Sequence, residues 1–299
     1  MAIEGPPMTW KRFGNSTKSP TTESVIVVVG GDQVGRSAEM LKPGQDSSWQ
    51  SLPNLLDWRH LSAGVCAEGK VYVIGGFELG YWKASAEALD LNQQKWSMKS
   101  SMPDTPEFPV AVHKNGKIYV IGANRQSNMF FVYDIETDSW STLSTVGLPD
   151  YFLATAAIDG DTIYACSRTS VCMKYNIETD QWQAMKSIPQ LDYYSRIIAF
   201  NGLIYSFGGD EEDNRDAVYV YHPTTETWTF VQSMPEPRRQ HALTVADRKI
   251  YVIGGLSYND VKYSYTKDVR IYSPETGNWA EGPLLQETRF DHVAATCQI

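Results

Sequence analysis

The sequence lacks the features that several broad classes of protein need. Its 299 residues contain no uncharged apolar run of 18 residues, which a membrane-spanning helix requires. Lys and Arg number 26 against 35 Asp and Glu, and the net charge of -9 disfavours binding to a nucleic-acid backbone. Gly and Pro occur at ordinary levels, 22 and 15 residues, which excludes a collagen-like or low-complexity chain. We therefore expect a folded protein that binds neither membranes nor nucleic acids.

Cysteine and histidine are also scarce. The four cysteines form no C-x-x-C pattern and no paired spacing, and the first 20 residues have no apolar core of a secretory signal. These features predict unpaired, buried cysteines and a cytoplasmic protein. One glycosylation sequon at Asn15 points instead to a secreted protein, but a three-residue pattern carries little weight. The five histidines show no metal-ligand spacing. The sequence thus predicts no metal site and no cofactor.

Tryptophan marks an internal repeat. Six tryptophans recur at intervals of 42 to 51 residues, and five of them follow a Tyr or Leu by seven residues: Trp49, Trp96, Trp140, Trp182, Trp228 and Trp279. Four of the units also contain a short apolar run that ends in a Gly pair, such as VYVIGG at 71–76. Gly122-Ala123 and Ser167-Arg168 replace the pair in the third and fourth units, where we expect an altered backbone. The pattern indicates six copies of one unit.

Turn signals divide each unit into four strands. A Gly follows the Trp by 20 residues in four units, within Glu68-Gly69, Asn115-Gly116, Asp159-Gly160 and Asn201-Gly202. Such dipeptides between apolar runs are typical of two-residue hairpins, because both central residues can adopt a positive φ. Nearly all the length variation falls between the Gly pair and the next Trp, which indicates a variable loop between strands 2 and 3. No segment has sustained helical periodicity, so the sequence predicts an all-β chain of four-stranded antiparallel meanders.

Units with these landmarks resemble the kelch repeat, and the resemblance covers residues 25–299. It implies a six-bladed β-propeller. The first unit begins at Val25 with strand 2, whereas the segment from Arg289 to Gln298 has the pattern of a strand 1. We expect this C-terminal strand to join blade 1 and close the ring, because closure removes an open sheet edge. Residues 1–24 are expected to form a linker outside the propeller.

The variable loops share one end of the meander with the residues that begin strand 1, and we call this end the loop face. It is rich in arginine and aromatic residues, the types favoured at binding hot spots. We expect partner binding at Trp58, Arg59, His60, Glu107, Phe108, Tyr151, Phe152, Tyr193, Tyr194, Arg238, Arg239, Tyr258, Arg289 and Phe290. Packing between blades is the alternative role for several of them.

The resemblance extends to the kelch domain of BTB-kelch proteins, which are adaptors of cullin-3 ubiquitin ligases. In that family the BTB and BACK regions bind the cullin and the propeller binds the substrate, so we expect this chain to be a substrate-recognition fragment without enzymatic activity. Its expected partner is a protein with a short acidic or phosphorylated segment, held by arginines at the mouth of the ring. An actin-binding or cytoskeletal kelch protein stays open as an alternative, as does a kelch-propeller enzyme that acts on a sugar.

Overall fold

The computed structural model describes residues 23–32, 34–149, 154–167, 171–189, 194–209, 215–258 and 261–299. Every regular element in these ranges is a β-strand, and paired strands run antiparallel. The all-β prediction is therefore confirmed for this part of the chain. None of the described residues forms a helix with the length and hydrophobicity that crossing a bilayer requires. Of the predicted linker, residues 1–22 lie outside the described ranges.

Six four-stranded sheets contain most of the strands in the described ranges. Sheet 1 consists, in spatial order, of β29 (Val293–Gln298), β1 (Ser24–Val29), β2 (Ala38–Leu41) and β3 (Gln50–Leu52). Sheet 2 consists of β4 (Ala63–Ala67), β5 (Lys70–Ile74), β8 (Ala86–Asp90) and β9 (Lys95–Lys99). Sheet 3 consists of β10 (Glu107–Lys114), β11 (Lys117–Ala123), β12 (Asn128–Asp134) and β13 (Ser139–Thr142).

The remaining three sheets repeat this order. Sheet 4 consists of β14 (Ala154–Asp159), β15 (Thr162–Ser167), β16 (Cys172–Asn176) and β17 (Gln181–Met185). Sheet 5 consists of β18 (Arg196–Phe200), β19 (Leu203–Phe207), β20 (Ala217–His222) and β21 (Thr227–Ser233). Sheet 6 consists of β23 (Ala242–Ala246), β24 (Lys249–Ile253), β27 (Val269–Ser273) and β28 (Asn278–Glu281). The predicted four-stranded antiparallel meander is confirmed in these sheets.

Two short hairpins occupy connections that the sequence predicted as loops. In sheet 2 the connection forms β6 (Phe77–Glu78) and β7 (Tyr81–Trp82), and a β-bridge joins His60 to Phe77. In sheet 6 it forms β25 (Leu256–Tyr258) and β26 (Tyr263–Tyr265), and β25 also pairs with β22 (Arg238–Arg239). Each hairpin is thus joined to the segment that precedes strand 1 of its own sheet.

The C-terminal strand completes sheet 1. β29 pairs with β1 over six residues, from Gln298 opposite Ser24 to Val293 opposite Val29. The pairing predicted from the missing strand of the first unit is therefore present. A second contact joins sheet 1 to the end of sheet 6, although the two residues are 234 positions apart. The Trp49 indole Nε1 donates to the carbonyl oxygen of Pro283 at 2.9 Å.

The repeated Tyr and Trp side chains form the core between neighbouring sheets. Strand 3 places the Tyr opposite the Trp of strand 4, with ring centroids 4.9 to 5.1 Å apart in Tyr133–Trp140, Tyr175–Trp182, Tyr221–Trp228 and Tyr272–Trp279. Indole N–H groups also reach the preceding sheet, as where Trp96 Nε1 donates to the Pro53 carbonyl at 2.8 Å. Apolar clusters made by two adjacent sheets fill these interfaces. The repeated Tyr and Trp therefore pack the interfaces between neighbouring sheets.

The predicted hairpin turns are present in three of four sheets. Glu68, Asn115 and Asn201 adopt φ values of 51°, 47° and 50°, each followed by a Gly with positive φ. In sheet 4, however, β14 continues through Asp159, which pairs with Thr162. The turn there consists of Gly160 and Asp161, of which only Gly160 has a positive φ, 57°. The prediction of Asp159-Gly160 as the central pair was therefore wrong by one residue.

All four cysteines form disulfides. Cys66 in β4 is bonded to Cys297 in β29, and Cys166 in β15 is bonded to Cys172 in β16. The prediction of unpaired cysteines was wrong. Cys66 and Cys297 are 231 residues apart and meet only because the C-terminal strand lies beside sheet 2, so sequence spacing carried no sign of their bond.

Candidate functional site

Three of the four predicted arginines are buried. Arg59, Arg238 and Arg289 are each at most 1% exposed, and each lies four residues before the first strand of its sheet begins. The Nη1 atom of each donates to the carbonyl of the first glycine in the Gly pair of the same sheet: Arg59 to Gly75 at 2.8 Å, Arg238 to Gly254 at 3.3 Å and Arg289 to Gly30 at 2.8 Å. These arginines therefore brace the corners where strand 2 ends.

Each buried guanidinium also faces a carboxylate. Arg59 Nη2 lies 2.9 Å from Glu87 Oε1, and Arg289 Nε lies 2.9 Å from Glu39 Oε1, with all four side chains at most 1% exposed. Burial lowers the pKa of both arginines, and the facing carboxylates oppose that change. The sequence placed these side chains at the binding mouth. The structure corrects that placement, because all three side chains are buried and their Nη1 atoms donate to backbone carbonyls inside the protein.

The fourth predicted arginine lies in a cluster that we call the arginine–tyrosine stack: Tyr194, Arg215, Arg239, Tyr258 and Tyr263. The guanidinium carbon of Arg239 is 3.6 Å from the Tyr263 ring centroid and 5.5 Å from that of Tyr194. The guanidinium carbon of Arg215 is 4.1 Å from the Tyr258 centroid. All five side chains are half-buried. The structure thus brings together three predicted site residues with Arg215 and Tyr263, which lay outside the predicted set.

Three further predicted residues fall in a second cluster, the aromatic row: Trp58, His60, Phe77, Trp82 and Phe108. Neighbouring rings have centroids 4.8 to 5.6 Å apart. Phe77 and Trp82 lay outside the predicted set, because the sequence predicts a variable loop between strands 2 and 3. The turn of the segment FELGYW at 77–82 is Leu79-Gly80, which is not one of the Asn-Gly or Asp-Gly pairs typical of two-residue hairpins, so the sequence carried little sign of it.

The other predicted residues are placed as follows. Phe290 stacks on Tyr265, with centroids 5.0 Å apart and ring planes at 11°. Glu107 begins β10 and is half-buried. Tyr151, Phe152 and Tyr193 lie outside the described residues. Partner binding by the whole set stays a prediction.

A polar cavity of about 190 Å³ contacts both clusters, since Phe108 of the aromatic row and Tyr194 of the stack line it. Two of its lining residues form an ion pair, with Arg196 Nη2 3.6 Å from Asp291 Oδ1, and Gln240 Nε2 donates to Asp291 Oδ2 at 2.5 Å. Asp291 is 7% exposed and therefore faces Arg196 in a largely buried setting. The described residues contain no group of three or more side chains suited to bind a metal ion.

Comparison with known families agrees with this architecture. The sequence profile of the Kelch motif matches residues 59–103, 193–235 and 237–283. The first and third of these segments begin close to the buried arginines and run through strand 4 of their sheets. The chain contains a kelch-repeat domain that resembles the kelch domains of BTB-kelch proteins.

The chain is also similar to individual kelch proteins. It is 26% identical to Kelch-like protein 15 from Homo sapiens over 248 residues, which are 71% of this chain and 40% of the relative. It is 22% identical to Beta-scruin from Limulus polyphemus over 294 residues, or 89% of this chain and 27% of the relative. Kelch repeat protein C2 of Vaccinia virus (strain Western Reserve) is 33% identical over 147 residues, or 45% and 28%. The chain spans less than half the length of each of these relatives.

Proposed function

We propose that the six sheets are the blades of a closed propeller that occupies residues 25–299. The first strand of each sheet contacts the first strand of the next, in the order β29, β4, β10, β14, β18, β23 and back to β29. The Trp49 hydrogen bond to Pro283 supports the same closure at the outer strands. A central channel surrounded by six first strands gives the loop face a single mouth.

We further propose that this domain binds a protein partner at the mouth. The observation that carries the proposal is the arginine–tyrosine stack beside the polar cavity, because accessible arginine and tyrosine side chains are frequent hot spots. The ligand is a short acidic or phosphorylated segment. Stacking on a ring fixes the plane of a guanidinium, and a planar guanidinium pairs with carboxylate or phosphate through two parallel donors.

Binding of fluorescein-labelled peptides, followed by anisotropy, tests this proposal. The probes are peptides with one central phosphoserine, the same peptides with Glu, and the same peptides with Ser. We expect the charged probes to bind and Arg239→Ala to weaken them about tenfold, the loss of about 1.4 kcal/mol. The affinity should also fall with added salt, because the contact is partly exposed.

Arg248→Ala is the matched control. Arg248 is also an arginine on the surface, with a side chain 72% exposed, but it lies in the turn between β23 and β24 and pairs with Glu275. That turn lies at the end of sheet 6 opposite the loop face. Equal affinities of the wild type and Arg239→Ala for the phosphorylated probe would refute the proposal.

The role of this domain in a larger assembly is also a proposal. Similarity to Kelch-like protein 15 supports a substrate-recognition domain of a cullin-3 ubiquitin ligase adaptor. In such an adaptor the kelch domain captures the substrate, and the cullin is bound elsewhere in the full-length protein. Co-precipitation of cullin-3 with the full-length protein, compared with residues 25–299 alone, tests this division of labour.

A cytoskeletal partner is the second candidate. The similarity to Beta-scruin extends over 89% of this chain, and the kelch resemblance leaves an actin-binding role open. Co-sedimentation with filamentous actin separates the two candidates, since a substrate-recognition domain should remain in the supernatant.

The absence of enzymatic activity and the cytoplasmic location stay predictions. Similarity to kelch-like proteins supports an intracellular site, whereas disulfides persist mainly in oxidising compartments. Alkylation of free thiols in intact cells, followed by mass spectrometry, decides between them. Labelled Cys297 indicates a reducing compartment, and a recovered bond between Cys66 and Cys297 indicates an oxidising one.

A further inference from the structure

The aromatic row runs from the start of strand 1 in sheet 2 to the start of sheet 3. Trp58 lies 5.1 Å from His60, His60 lies 5.6 Å from Phe77, Phe77 lies 5.0 Å from Trp82, and Trp82 lies 4.8 Å from Phe108, all between ring centroids. All five rings are half-buried, so each keeps part of its surface accessible. The row is therefore a continuous aromatic surface, separate in its residues from the arginine–tyrosine stack.

The backbone holds this surface in place before any partner arrives. His60 and Phe77 exchange backbone hydrogen bonds of 3.3 and 2.8 Å, which fix the hairpin against the start of strand 1. The Trp58 indole packs directly on Gly35, where an added Cβ would lie 1.8 Å from Nε1. A surface that is already ordered loses little conformational entropy on binding.

Carboxylates surround the row. Asp32 Oδ1 is 3.7 Å from His60 Nε2, Asp57 Oδ2 is 3.4 Å from Lys83 Nζ, and Glu78 forms an ion pair with the same Lys83. Glu107 precedes Phe108 in β10. Burial lowers the pKa of His60, although Asp32 opposes the change, so the imidazole is neutral at pH 7.

The charge balance of this surface is negative. Among the described residues, the carboxylates of Asp32, Asp57, Glu78 and Glu107 outnumber the cations of Lys83 and of Arg36, which follows Gly35. Beneath them the buried charges of Arg59 and Glu87 balance each other, and Arg59 Nη2 also lies 3.3 Å from Asp57 Oδ2. The surface also has an exposed apolar edge, because Leu79 and Tyr81 at the tip of the β6–β7 hairpin are 89% and 76% exposed.

We propose that the aromatic row is a second binding surface, which takes a basic segment of a partner protein with a Lys or Arg next to an apolar residue. A cation is attracted to the faces of Trp and Phe rings, and the surrounding carboxylates add attraction of the same sign. Leu79 and Tyr81 supply the apolar contact. This surface requires a ligand of the opposite charge to the one proposed for the arginine–tyrosine stack, so it goes beyond the proposed function and is independent of it.

Two sets of labelled octapeptides test the inference by anisotropy. Both carry a central Leu-x-Tyr, in which x is Arg in one set and citrulline, the uncharged analogue, in the other. We expect the Arg peptides to bind at least tenfold more tightly than the citrulline peptides. Glu78→Gln combined with Asp32→Asn preserves the shape of the surface and should weaken the Arg peptides at least fivefold, and Trp82→Ala should abolish the preference for Arg over citrulline.

Controls separate this surface from the other one. Arg239→Ala should leave the Arg peptides unaffected while it weakens phosphorylated probes, so the two proposals can fail independently. Glu275→Gln, at the opposite end of the sheets, removes a carboxylate without touching the row. Equal binding of Arg and citrulline peptides, or unchanged binding in the Glu78→Gln and Asp32→Asn variant, overturns the inference. Concentration-dependent dimers of the wild type that are absent in Trp82→Ala would also overturn it, because the occupant would then be a second copy of this chain.

Discussion

Replacing Arg289 by Met tests whether the buried arginines stabilise the fold instead of binding a partner. Met has a similar length and no charge, so the substitution removes the guanidinium and leaves most of the packing. In the wild type this guanidinium donates to the carbonyls of Gly30 at 2.8 Å and Ser37 at 3.1 Å, and it faces Glu39 at 2.9 Å. The substitution therefore leaves two buried carbonyls and one buried carboxylate without this partner.

The expected loss follows from that burial. Glu39 is 1% exposed, and removal of one member of a buried ion pair typically costs about 3–5 kcal/mol. That is a large part of the total stability of about 5–15 kcal/mol that folded domains have. Adding Glu39→Gln should restore part of the loss, because the amide oxygen can still accept the bond from the Gln286 backbone N–H, which is 2.9 Å from Glu39 Oε2.

Urea denaturation followed by tryptophan fluorescence measures this loss. With a slope of about 3 kcal/mol per M, Arg289→Met should lower the midpoint by about 1 M or more. Arg239→Met is the control, because its guanidinium is stacked on half-buried rings, and it should shift the midpoint much less. A loss below about 1 kcal/mol in Arg289→Met would refute the assignment, since such a value is typical of surface substitutions.

Three further outcomes are expected. Burial lowers the pKa of His241 well below its usual value and that of His292 to about 3, so below pH 6.5 the unfolded chain binds more protons than the folded protein. Each histidine should therefore cost about 1.4 kcal/mol of stability at pH 5.5. Asn substitutions should make the melting temperature less dependent on pH between pH 7 and 5.5. Cys297→Ser opens a loop of 231 residues and should destabilise by about 5 kcal/mol, against about 2 kcal/mol for Cys172→Ser and its loop of six; equal melting temperatures of the two variants would contradict this. Truncation after Leu285 removes β29 and should leave an insoluble or unfolded protein, whereas a cooperative melt at the wild-type temperature would refute a closing role for that strand.

The repeat made most of the fold predictable. Strands and turns follow from short-range signals, and the missing first strand of the first unit pointed to the C-terminal segment that now pairs with β1. The two hairpins were not predicted, because strands of two or three residues have too few positions to show alternation. The bond between Cys66 and Cys297 could not be predicted from cysteine spacing, because it depends on which sheets are neighbours in space.

Sequence position predicted which residues lie near the start of strand 1, but not the orientation of their side chains. Sequence position placed both Arg238 and Arg239 at the start of strand 1. Successive residues of a strand point to opposite faces, so one of the two had to face inward. The structure buries Arg238 at 1% exposure and leaves Arg239 in the stack. Which of the two faces inward depends on the Gly corner of the same sheet, which lies 16 residues further along the chain and gives no signal next to the two arginines.

The same alternation recurs in three sheets and divides two tasks between adjacent residues. The inward residue is always a bracing arginine, and the next residue lies on the loop face, in the pairs Arg59-His60, Arg238-Arg239 and Arg289-Phe290. The third residue adopts a left-handed backbone, with φ of 53° at Leu61, 53° at Gln240 and 50° at Asp291. These backbones are linked, because Leu61 N donates to the Asp291 carbonyl and Asp291 N donates to the Gln240 carbonyl, both at 3.0 Å. The brace and the linked turns hold the middle residue in position whatever its side chain is. The chemistry of the mouth, imidazole in one sheet, guanidinium in another and a phenyl ring in a third, can therefore change without loss of the supports beneath it.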